Sequence, residues 1–551
     1  MAGPGDKPTP RGSFWRGFRA GLIVLLLWFI VRLGGLAPFP PEAALVSLFS
    51  VIPASLEEPA VQGLGEVAGL AGLGVAIIAG AALYGLLNIF FERYFIPKTT
   101  FVGGLTRLET ALLYAVVPWL VFGVVLLPLT GESLFGTGSN IASAATTWLF
   151  PFTILLLQLL WGLLLRGGPQ TSFPQAPSPP TAGPKAVGRR EFIERSLILG
   201  GAAVLTLASI GSAIGTLFAE GSLVSEGSEV ILPGSPINTD SAPAIFGDPR
   251  LSALVDSEVT NNNSFYRVAI DIFDPNVSQS EWSLTLSGLV SNPKSYSASD
   301  LLSLPRAQEF STFICVSNLV NGGLISNAQW GGVRLSDLFA DAGGVSSGAT
   351  YVVFHSADGY TVGIPIAKAL EPSAILAYEM NGLPLPQRHG FPLRAVIPGL
   401  YGMMSAKWIR QVELSDSVYL GYWQTRGWSN DATVQTASFI RIPQDGASVS
   451  LSQNKGTVMI GGVAFAGDRG ISKVEVSLDG GKTWEEATLK PPASNLSWAL
   501  WAYEWTPPST GQYVVYARAT DGKNQLQTAD VSYSFPSGAT GYVMSTLTVV
   551  P

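Results

Sequence analysis

Apolar positions follow two different patterns along the chain. In the first 219 residues they form five uninterrupted stretches, each about as long as the ~20 residues that cross the ~30 Å hydrocarbon core of a bilayer. These stretches are residues 17–36, 67–91, 111–129, 142–165 and 196–219. The last four contain no charged residue. The pattern predicts an N-terminal all-α transmembrane bundle of five spans.

The loops between these spans alternate in charge. Lys and Arg concentrate in the N-terminal tail, in the loop after the second span and in the segment between the fourth and fifth spans. The other two loops carry Glu but neither Lys nor Arg. Because cytoplasmic loops carry the excess of Lys and Arg, the N-terminus is predicted inside. Everything after the fifth span is then predicted on the extracytoplasmic side of the cell membrane.

A proline-rich segment, residues 166–195, separates the fourth span from the fifth and is typical of a flexible linker. It ends near Gly188-Arg189-Arg190-Glu191-Phe192-Ile193, which an apolar run rich in Gly and Ala follows. This order resembles a twin-arginine export signal placed inside the chain. The alternative is that Arg189 and Arg190 are ordinary positive-inside anchors of the membrane helix.

Short strands replace the long apolar stretches from residue 220 onward. Residues 220–429 alternate β-like runs with turns and a few helical patches, which predicts an α+β domain. Residues 430–551 contain regular strands with turn signals such as Asp479-Gly480-Gly481-Lys482, which predicts an immunoglobulin-like β-sandwich. The predicted order is a four-span bundle (1–165), the linker (166–195), a fifth span (196–219), the α+β domain and the sandwich.

Composition narrows the function. Of 551 residues, 47% are hydrophobic and 13% charged, with a net charge of −7, so nucleic-acid binding through a clustered positive face is disfavoured. The chain has one cysteine, Cys315, and two histidines, His355 and His389. A disulfide within the chain, a Cys-rich zinc or iron–sulfur site and a multi-histidine metal centre are therefore excluded. The membrane part has no His or Cys and no Met beyond Met1, so no haem is expected there.

The single cysteine allows three interpretations. Cys315 ends a β-like run, where it could be a buried structural thiol. It could also be a nucleophile served by a histidine base, although no local pattern supports that reading. The third possibility is a soft thiolate ligand to a metal held mostly by something other than protein.

A second motif runs from His389 through Arg394 to Ser405-Ala406-Lys407-Trp408. Its basic donors suit a phosphate or a polar heterocycle. The alternative is a strand with ordinary surface charges, in which Lys407 packs over the ring of Trp408.

Taken in order, these motifs resemble the sulfite-oxidase-type molybdopterin-binding domain. The matching stretches are Asn263-Ser264-Phe265-Tyr266-Arg267, Cys315-Val316-Ser317-Asn318, Asn327-Ala328-Gln329-Trp330, Met380-Asn381-Gly382, His389-Gly390-Phe391-Pro392-Leu393-Arg394 and Lys407-Trp408. The sandwich resembles the dimerisation domain of that family, through Val474-Glu475-Val476-Ser477-Leu478-Asp479 and the residues up to Trp484. The resemblance covers roughly residues 240–551.

The resemblance implies a cofactor of molybdenum with molybdopterin. Cys315 would ligate the metal beside the two dithiolene sulfurs of one molybdopterin, and Arg267 is the second predicted catalytic residue. The predicted cofactor contacts are Asn263, Tyr266, Arg267, Ser356, His389, Arg394, Ser405, Ala406 and Lys407. The cofactor would carry the redox chemistry, while these residues hold it.

Two positions depart from the pattern of sulfite oxidases. The arginine that follows the metal cysteine by five residues is Val320 here, and the Asp-Tyr pair at the substrate mouth is replaced by Gln424-Thr425. Loss of a buried arginine costs affinity for an oxyanion. The departures therefore count against sulfite as the substrate, although Arg267 and Arg426 could still form a polar pocket.

The predicted function is a membrane-anchored, extracytoplasmic molybdenum oxidoreductase that transfers an oxygen atom between water and a small substrate in a two-electron reaction. A fused bis-histidine haem domain is not expected, so electrons would pass to or from a separate redox protein. A homodimer through the sandwich is a further expectation from the family. The alternative function is a non-catalytic binding or scaffold protein that uses the immunoglobulin-like domain, which the intact set of Cys315, His389, Arg394 and Lys407 disfavours.

Overall fold

The structure is a computed structural model with side chains. It describes residues 10–33, 39–51, 66–91, 115–116, 118–126, 150–166, 237, 239–271 and 273–551. The described residues form two compact units, the N-terminal helices and a larger unit that contains almost all described residues from 237 onward.

The N-terminal unit consists of apolar helices packed through small residues. Its α-helices are α1 Pro10–Leu33, α2 Pro40–Val51, α3 Glu66–Phe90 and α4 Phe150–Arg166, with a π-helical segment at Val121–Leu126. A Cβ atom added at Gly21 of α1 would lie 2.4 Å from the Cβ of Tyr84 on α3. The absence of a side chain at this glycine therefore lets the two helix backbones approach closely, as in membrane helix pairs.

Two helices of this unit, Pro10–Arg32 and Ala71–Phe90, are long and apolar enough to cross a membrane. They overlap the first two predicted spans. The count of five is not established by the described residues, because α4 covers only part of the stretch 142–165 and the stretch 111–129 is described only in short pieces. The fifth span, the proline-rich linker and the Arg189-Arg190 motif lie outside the described residues.

The larger unit begins with an α+β domain, as predicted. Its strands are β1 Leu284–Gly288, β2 Lys294–Tyr296, β3 Arg306–Ile314, β4 Ile325–Arg334, β5 Tyr351–Ser356, β6 Thr361–Pro365, β7 Ile375–Met380, β8 Leu383–Pro384, β9 Arg394–Val396 and β10 Ile409–Ser415. One sheet has the order β2-β1-β10-β5-β6; the other has the order β3-β4-β7-β8, with β9 paired to β7.

Short helices connect these strands. They are α5 Ser252–Asp256, α6 Ala298–Ser303, α7 Leu335–Asp341 and α8 Ile366–Ala369. Helix α6 shows why the sequence starts a helix there: the Ser297 side chain accepts from the Asp300 amide, and the Asp300 carboxylate accepts from the Ser297 amide. This capping box satisfies two backbone donors that the first turn leaves open.

The C-terminal domain is a pair of sheets around a common core. Its strands are β11 Ala437–Ile442, β12 Ala447–Ser450, β13 Val458–Phe465, β14 Ile471–Ser477, β15 Glu485–Glu486, β16 Thr488–Leu489, β17 Ala499–Trp505, β18 Gly511–Asp521 and β19 Val543–Val550. The sheets have the orders β11-β13-β17-β16 and β12-β19-β18-β14-β15. Along β18, Val515, Ala517 and Ala519 are buried and alternate with more exposed residues, the period of two that a half-buried strand requires. The immunoglobulin-like topology itself stays a prediction.

The two domains of the larger unit share buried surface. Met459 and Leu500 of the sandwich belong to the same buried hydrophobic cluster as Trp282 and Trp408 of the α+β domain. The amide of Trp498 also donates to the Thr312 hydroxyl, 2.9 Å away, at the end of β3 that leads to Cys315. The sandwich therefore supports the strand that carries the candidate metal ligand.

Candidate active site

Cys315 follows β3 directly and begins a tight turn. Its amide donates to the Leu324 carbonyl at 3.0 Å, and the Asn318 amide donates back to the Cys315 carbonyl at 3.0 Å. The thiol is buried, with its Sγ 3.0 Å from the Ser317 hydroxyl. Burial raises the pKa of the Cys315 thiol, and the contact with Ser317 partly opposes that rise. The backbone thus fixes the position of a single sulfur atom in a low-dielectric surrounding.

Three tyrosines lie near enough to this sulfur for its charge to act on them. Burial raises the pKa of Tyr266 and Tyr360 well above the ordinary value and that of Tyr401 to about 12, and a negative charge on Cys315 acts in the same direction on all three. The Tyr360 hydroxyl donates to the Met403 carbonyl at 2.6 Å. A Cβ atom added at Gly402 would lie 2.4 Å from the Tyr266 hydroxyl oxygen. All three hydroxyls therefore stay protonated at neutral pH beside the candidate metal ligand.

His389 lies in the second motif as a neutral side chain. Burial lowers the pKa of His389 to about 3, and the cations Arg394, Lys407 and Arg388 add to the effect. Its Nε2 lies 2.6 Å from the Asn262 carbonyl, so Nε2 carries the proton and donates. The Nδ1 atom of a neutral imidazole with this tautomer is an acceptor.

Arg394 supplies a buried cation next to His389. Its Nη1 donates to the His389 carbonyl at 3.0 Å, and its guanidinium lies 4.7 Å from the ring centroids of both Phe313 and Trp330. Burial lowers the pKa of Arg394 to about 9, which leaves the side chain charged at neutral pH. The aromatic rings hold the cation without neutralising it.

The remaining predicted cofactor contacts occupy the adjoining loops. The Ser405 hydroxyl accepts from the Ile397 amide at 3.1 Å, and the Ala406 carbonyl accepts from the Ala395 amide at 2.8 Å. The Nζ atom of half-buried Lys407 lies 4.2 Å from the ring centroid of Trp408, so the predicted cation–aromatic contact is present. These contacts fix the backbone of the turn that presents Lys407.

One predicted contact, Asn263, fits less well. Asn263 is exposed, and its amide donates to the Asn261 side chain at 2.8 Å. Its neighbour Asn262, which the sequence analysis did not single out, contacts two residues of the site. Its backbone carbonyl accepts from His389, and its side-chain oxygen accepts from Asn381 Nδ2 at 2.7 Å. Arg267 is half-buried and directly follows Tyr266. Which of three consecutive asparagines faces inward depends on the local turn, which composition does not reveal.

The donor set fits a cofactor that brings its own metal ligands. Among the described residues, no group of three or more His, Cys, Asp or Glu could hold a metal ion. The described residues therefore agree with a metal at Cys315 whose other ligands come from a non-protein group. The Ser356 hydroxyl, at the C-terminal end of β5, is buried and makes no hydrogen bond in this structure, which leaves it available to such a group.

The two departures from the sulfite-oxidase pattern differ in burial. Val320 is 36% exposed in the turn after Cys315. Gln424 is buried, with its Nε2 3.4 Å from the Met404 sulfur and its Oε1 buried without a hydrogen-bond partner. Both positions present uncharged side chains.

Comparison with known proteins agrees with this donor set. Residues 272–423 match the family model of the oxidoreductase molybdopterin binding domain, and residues 428–538 match that of the Mo-co oxidoreductase dimerisation domain. The chain is 31% identical over 328 residues to mitochondrial sulfite oxidase of Rattus norvegicus, covering 51% of this chain and 59% of that protein. It is 32% identical over 340 residues to sulfite oxidase of Arabidopsis thaliana, covering 52% of this chain and 86% of that protein.

A solved structure, the sulfane dehydrogenase SoxCD from Paracoccus pantotrophus, aligns with 25% identity and a TM-score of 0.44 over 49% of this chain and 75% of that one. The family-model match places a molybdopterin-binding oxidoreductase domain around Cys315. The chain belongs to the sulfite oxidase family of molybdopterin oxidoreductases. It spans about three fifths of the length of the rat protein. The predicted enzyme class and the predicted molybdenum–molybdopterin cofactor are confirmed at the level of the family.

Proposed function

We propose that this protein is a membrane-anchored molybdenum oxidoreductase that acts on the extracytoplasmic side and transfers an oxygen atom between water and a small substrate. The single observation that carries the proposal is the buried Cys315 sulfur beside Tyr266, a tyrosine that also interacts with the charge of Arg394. A scaffold protein would have no physical reason to bury this set together.

The residues of the site divide the work of holding the cofactor. Cys315 provides the one protein ligand to the metal, and Arg394 and Lys407 provide positive charge for the phosphate of the pterin. His389 Nδ1 accepts a hydrogen bond and the free Ser356 hydroxyl donates or accepts one. When bound, molybdenum with molybdopterin supplies the two-electron redox chemistry. Arg267, beside Tyr266, faces the substrate in this proposal.

The N-terminal helices indicate where the protein is located and do not indicate which reaction it catalyses. The two apolar helices Pro10–Arg32 and Ala71–Phe90 and the alternation of Lys and Arg between loops favour a multi-pass membrane protein with residues 220–551 outside. Electrons would be exchanged with a separate redox protein. The match of residues 428–538 to a dimerisation domain favours a homodimer. A monomer by light scattering in mild detergent would contradict that part.

The decisive experiment measures molybdenum and pterin in the purified full chain, expressed in a host that makes the cofactor. We expect about one molybdenum per chain in the wild type and loss of the metal in Cys315→Ser and Cys315→Ala, because no other described group can anchor it. As a folding control, each variant should unfold at the same temperature as the wild type when both are measured without cofactor. Well-folded wild-type protein without metal or pterin would refute the enzyme and favour a binding protein.

A further inference from the structure

Asn381 lies in the buried turn between β7 and β8, in a backbone conformation that few residues adopt. It is 4% exposed and has a φ of 54°, in the left-handed region. Asparagine tolerates this region better than most residues, but glycine adopts it without steric cost. The turn alone therefore does not require the amide side chain of Asn381.

The side chain of Asn381 is hydrogen-bonded to two other segments. Its Oδ1 accepts from the backbone amide of Gln329, on β4, at 2.9 Å. Its Nδ2 donates to the Thr260 carbonyl at 3.0 Å and to Asn262 Oδ1 at 2.7 Å. One buried side chain thus joins β4 to the segment 260–262, and each of these bonds would be costly to lose in the interior.

The segment 260–262 carries the acceptor for His389. The Asn262 carbonyl lies 2.6 Å from His389 Nε2. Because a carbonyl oxygen can only accept, this contact requires the proton of the imidazole to be on Nε2. Asn262 is itself held by its side chain, which accepts from Asn381 and donates through Nδ2 to the Met380 carbonyl at 3.2 Å. The side-chain bonds of Asn262 therefore set where its carbonyl lies.

The position of this proton decides what His389 can offer to a cofactor. Arg394 and Lys407, the other predicted basic contacts of the motif, carry only donors. Burial lowers the pKa of His389 to about 3, so its ring is neutral and one ring nitrogen is an acceptor. A proton on Nε2 makes Nδ1 the acceptor, whereas a proton on Nδ1 would make that atom a donor. A pterin ring carries N–H groups, which need acceptors.

We propose that Asn381 is a positioning residue that fixes the tautomer of His389 through Asn262. Its bonds hold the Asn262 carbonyl against Nε2 and so keep Nδ1 as an acceptor for the N–H groups of the pterin. Asn381 need not touch the cofactor for this role. The inference rests on the proposed function, because it assumes that the cofactor binds at His389. The tautomer itself is a property of the chain, so it can be measured without cofactor.

The test measures the tautomer by solid-state nitrogen NMR on the full chain in lipid, with isotope-labelled histidine and without cofactor. The chain has two histidines, so the parent variant His355→Gln leaves His389 as the only labelled ring. In this parent, Asn381→Gly keeps the left-handed backbone and removes the amide. Asn262→Ala removes the intermediate side chain and keeps the carbonyl. The matched control is Asn524→Gly, at an exposed asparagine that is also left-handed, with a φ of 61°.

We expect the parent to show a single tautomer, with Nε2 protonated and Nδ1 unprotonated. In Asn381→Gly, the ratio of the Nε2–H form to the Nδ1–H form should fall about fivefold or more, the effect of losing one ordinary hydrogen bond. Asn262→Ala should lower the ratio in the same way, and Asn524→Gly should not change it. The double variant of Asn381 and Asn262 should match the single variants, because the two residues act in series.

A proton on Nδ1 in the parent would overturn the inference. An unchanged ratio in Asn381→Gly that still unfolds cooperatively would do the same. If Asn381→Gly does not fold, Asn262→Ala decides the question, since it leaves the left-handed residue intact. The absence of molybdenum and pterin from protein made in a host that supplies the cofactor would instead refute the proposed function, and it would not alter the tautomer measurement.

Discussion

The buried ion pair between Lys490 and Glu258 offers the sharpest test of how the larger unit is held together. Lys490 Nζ lies 2.8 Å from both carboxylate oxygens of Glu258, and the side chains are 1% and 2% exposed. The same ammonium group donates to the Ile237 carbonyl. The pair joins the sandwich to the segment that continues into Asn262 and Tyr266. We therefore predict that Lys490→Met destabilises the larger unit and loosens the cofactor site.

The burial of the Lys490–Glu258 pair sets the size of the expected loss in the free energy of unfolding. Removing one partner leaves the other as an uncompensated charge in the interior, which costs about 3–5 kcal/mol. At roughly 2–4 °C per kcal/mol for a domain of this size, the unfolding temperature should fall by on the order of 10 °C. The double variant Glu258→Gln/Lys490→Met removes both charges, and we expect it to regain most of this loss because the desolvation penalty disappears with the second charge.

Thermal unfolding of the full chain in detergent, followed by tryptophan fluorescence, measures the effect. Trp498 is a local reporter, since its Nε1 donates to the Glu258 carbonyl at 3.0 Å. The matched control is Lys473→Met, which breaks an ion pair with Glu475 in the same domain at a lysine that is 39% exposed. Such a partly exposed pair contributes about 0–1 kcal/mol, so the control should shift the transition little.

Two results would refute the reasoning. If Lys490→Met unfolds at the temperature of the Lys473→Met control, the pair does not hold the unit together. If the double variant is as unstable as Lys490→Met alone, the loss comes from packing of the lysine stem rather than from the unpaired Glu258 charge.

Two further variants test burial and space in the α+β domain. Burial raises the pKa of Glu309 to about 8, although the cations Arg334 and Lys368 oppose the rise. The native state therefore binds this proton more tightly than the unfolded chain does. As a consequence, the native state loses stability as the pH rises from about 4.5 to 8. Glu309→Gln should therefore raise the unfolding temperature at pH 8.5 and leave it unchanged at pH 4, and an equal effect at both values would contradict this. Gly402→Ala should displace the Tyr266 hydroxyl and reduce the molybdenum that the protein retains several-fold. The control Gly323→Ala places its new methyl group in open space and should retain the metal. Equal metal content in the two variants would show that the close approach of Gly402 and Tyr266 is dispensable.

The candidate site could be proposed from sequence because most of its residues lie in short contiguous motifs, and their roles stay predictions. Cys315 lies within one such motif, and His389 and Arg394 lie close together in another, so both motifs are visible in the sequence. The tyrosines Tyr360 and Tyr401 were missed as site residues, since only the tertiary fold brings them near Cys315. The choice of Asn262 over Asn263 likewise depends on which way a turn points its side chains.

The sandwich shows a second limit of sequence reasoning. Four tryptophans in its sequence favour an aromatic core, but of these only Trp501 and Trp505 belong to the buried cluster between the two sheets. Trp498 is buried against the α+β domain, and Trp484 is half-buried under the guanidinium of Arg518. Strand alternation predicts that a face is buried, while the partner surface that buries it comes from the tertiary fold.

The contacts of the sandwich suggest why this domain accompanies the cofactor domain. Arg441 fixes the turn that follows Cys315, and Lys490 fixes the segment that leads to Asn262 and Tyr266. These two segments lie before and after β3 in the chain, and neither has a long helix or strand of its own to hold it in place. A domain that were only a dimerisation surface would have no need to clamp both of them. We therefore expect the sandwich to help position the candidate site, with Arg441 and Lys490 acting as positioning residues.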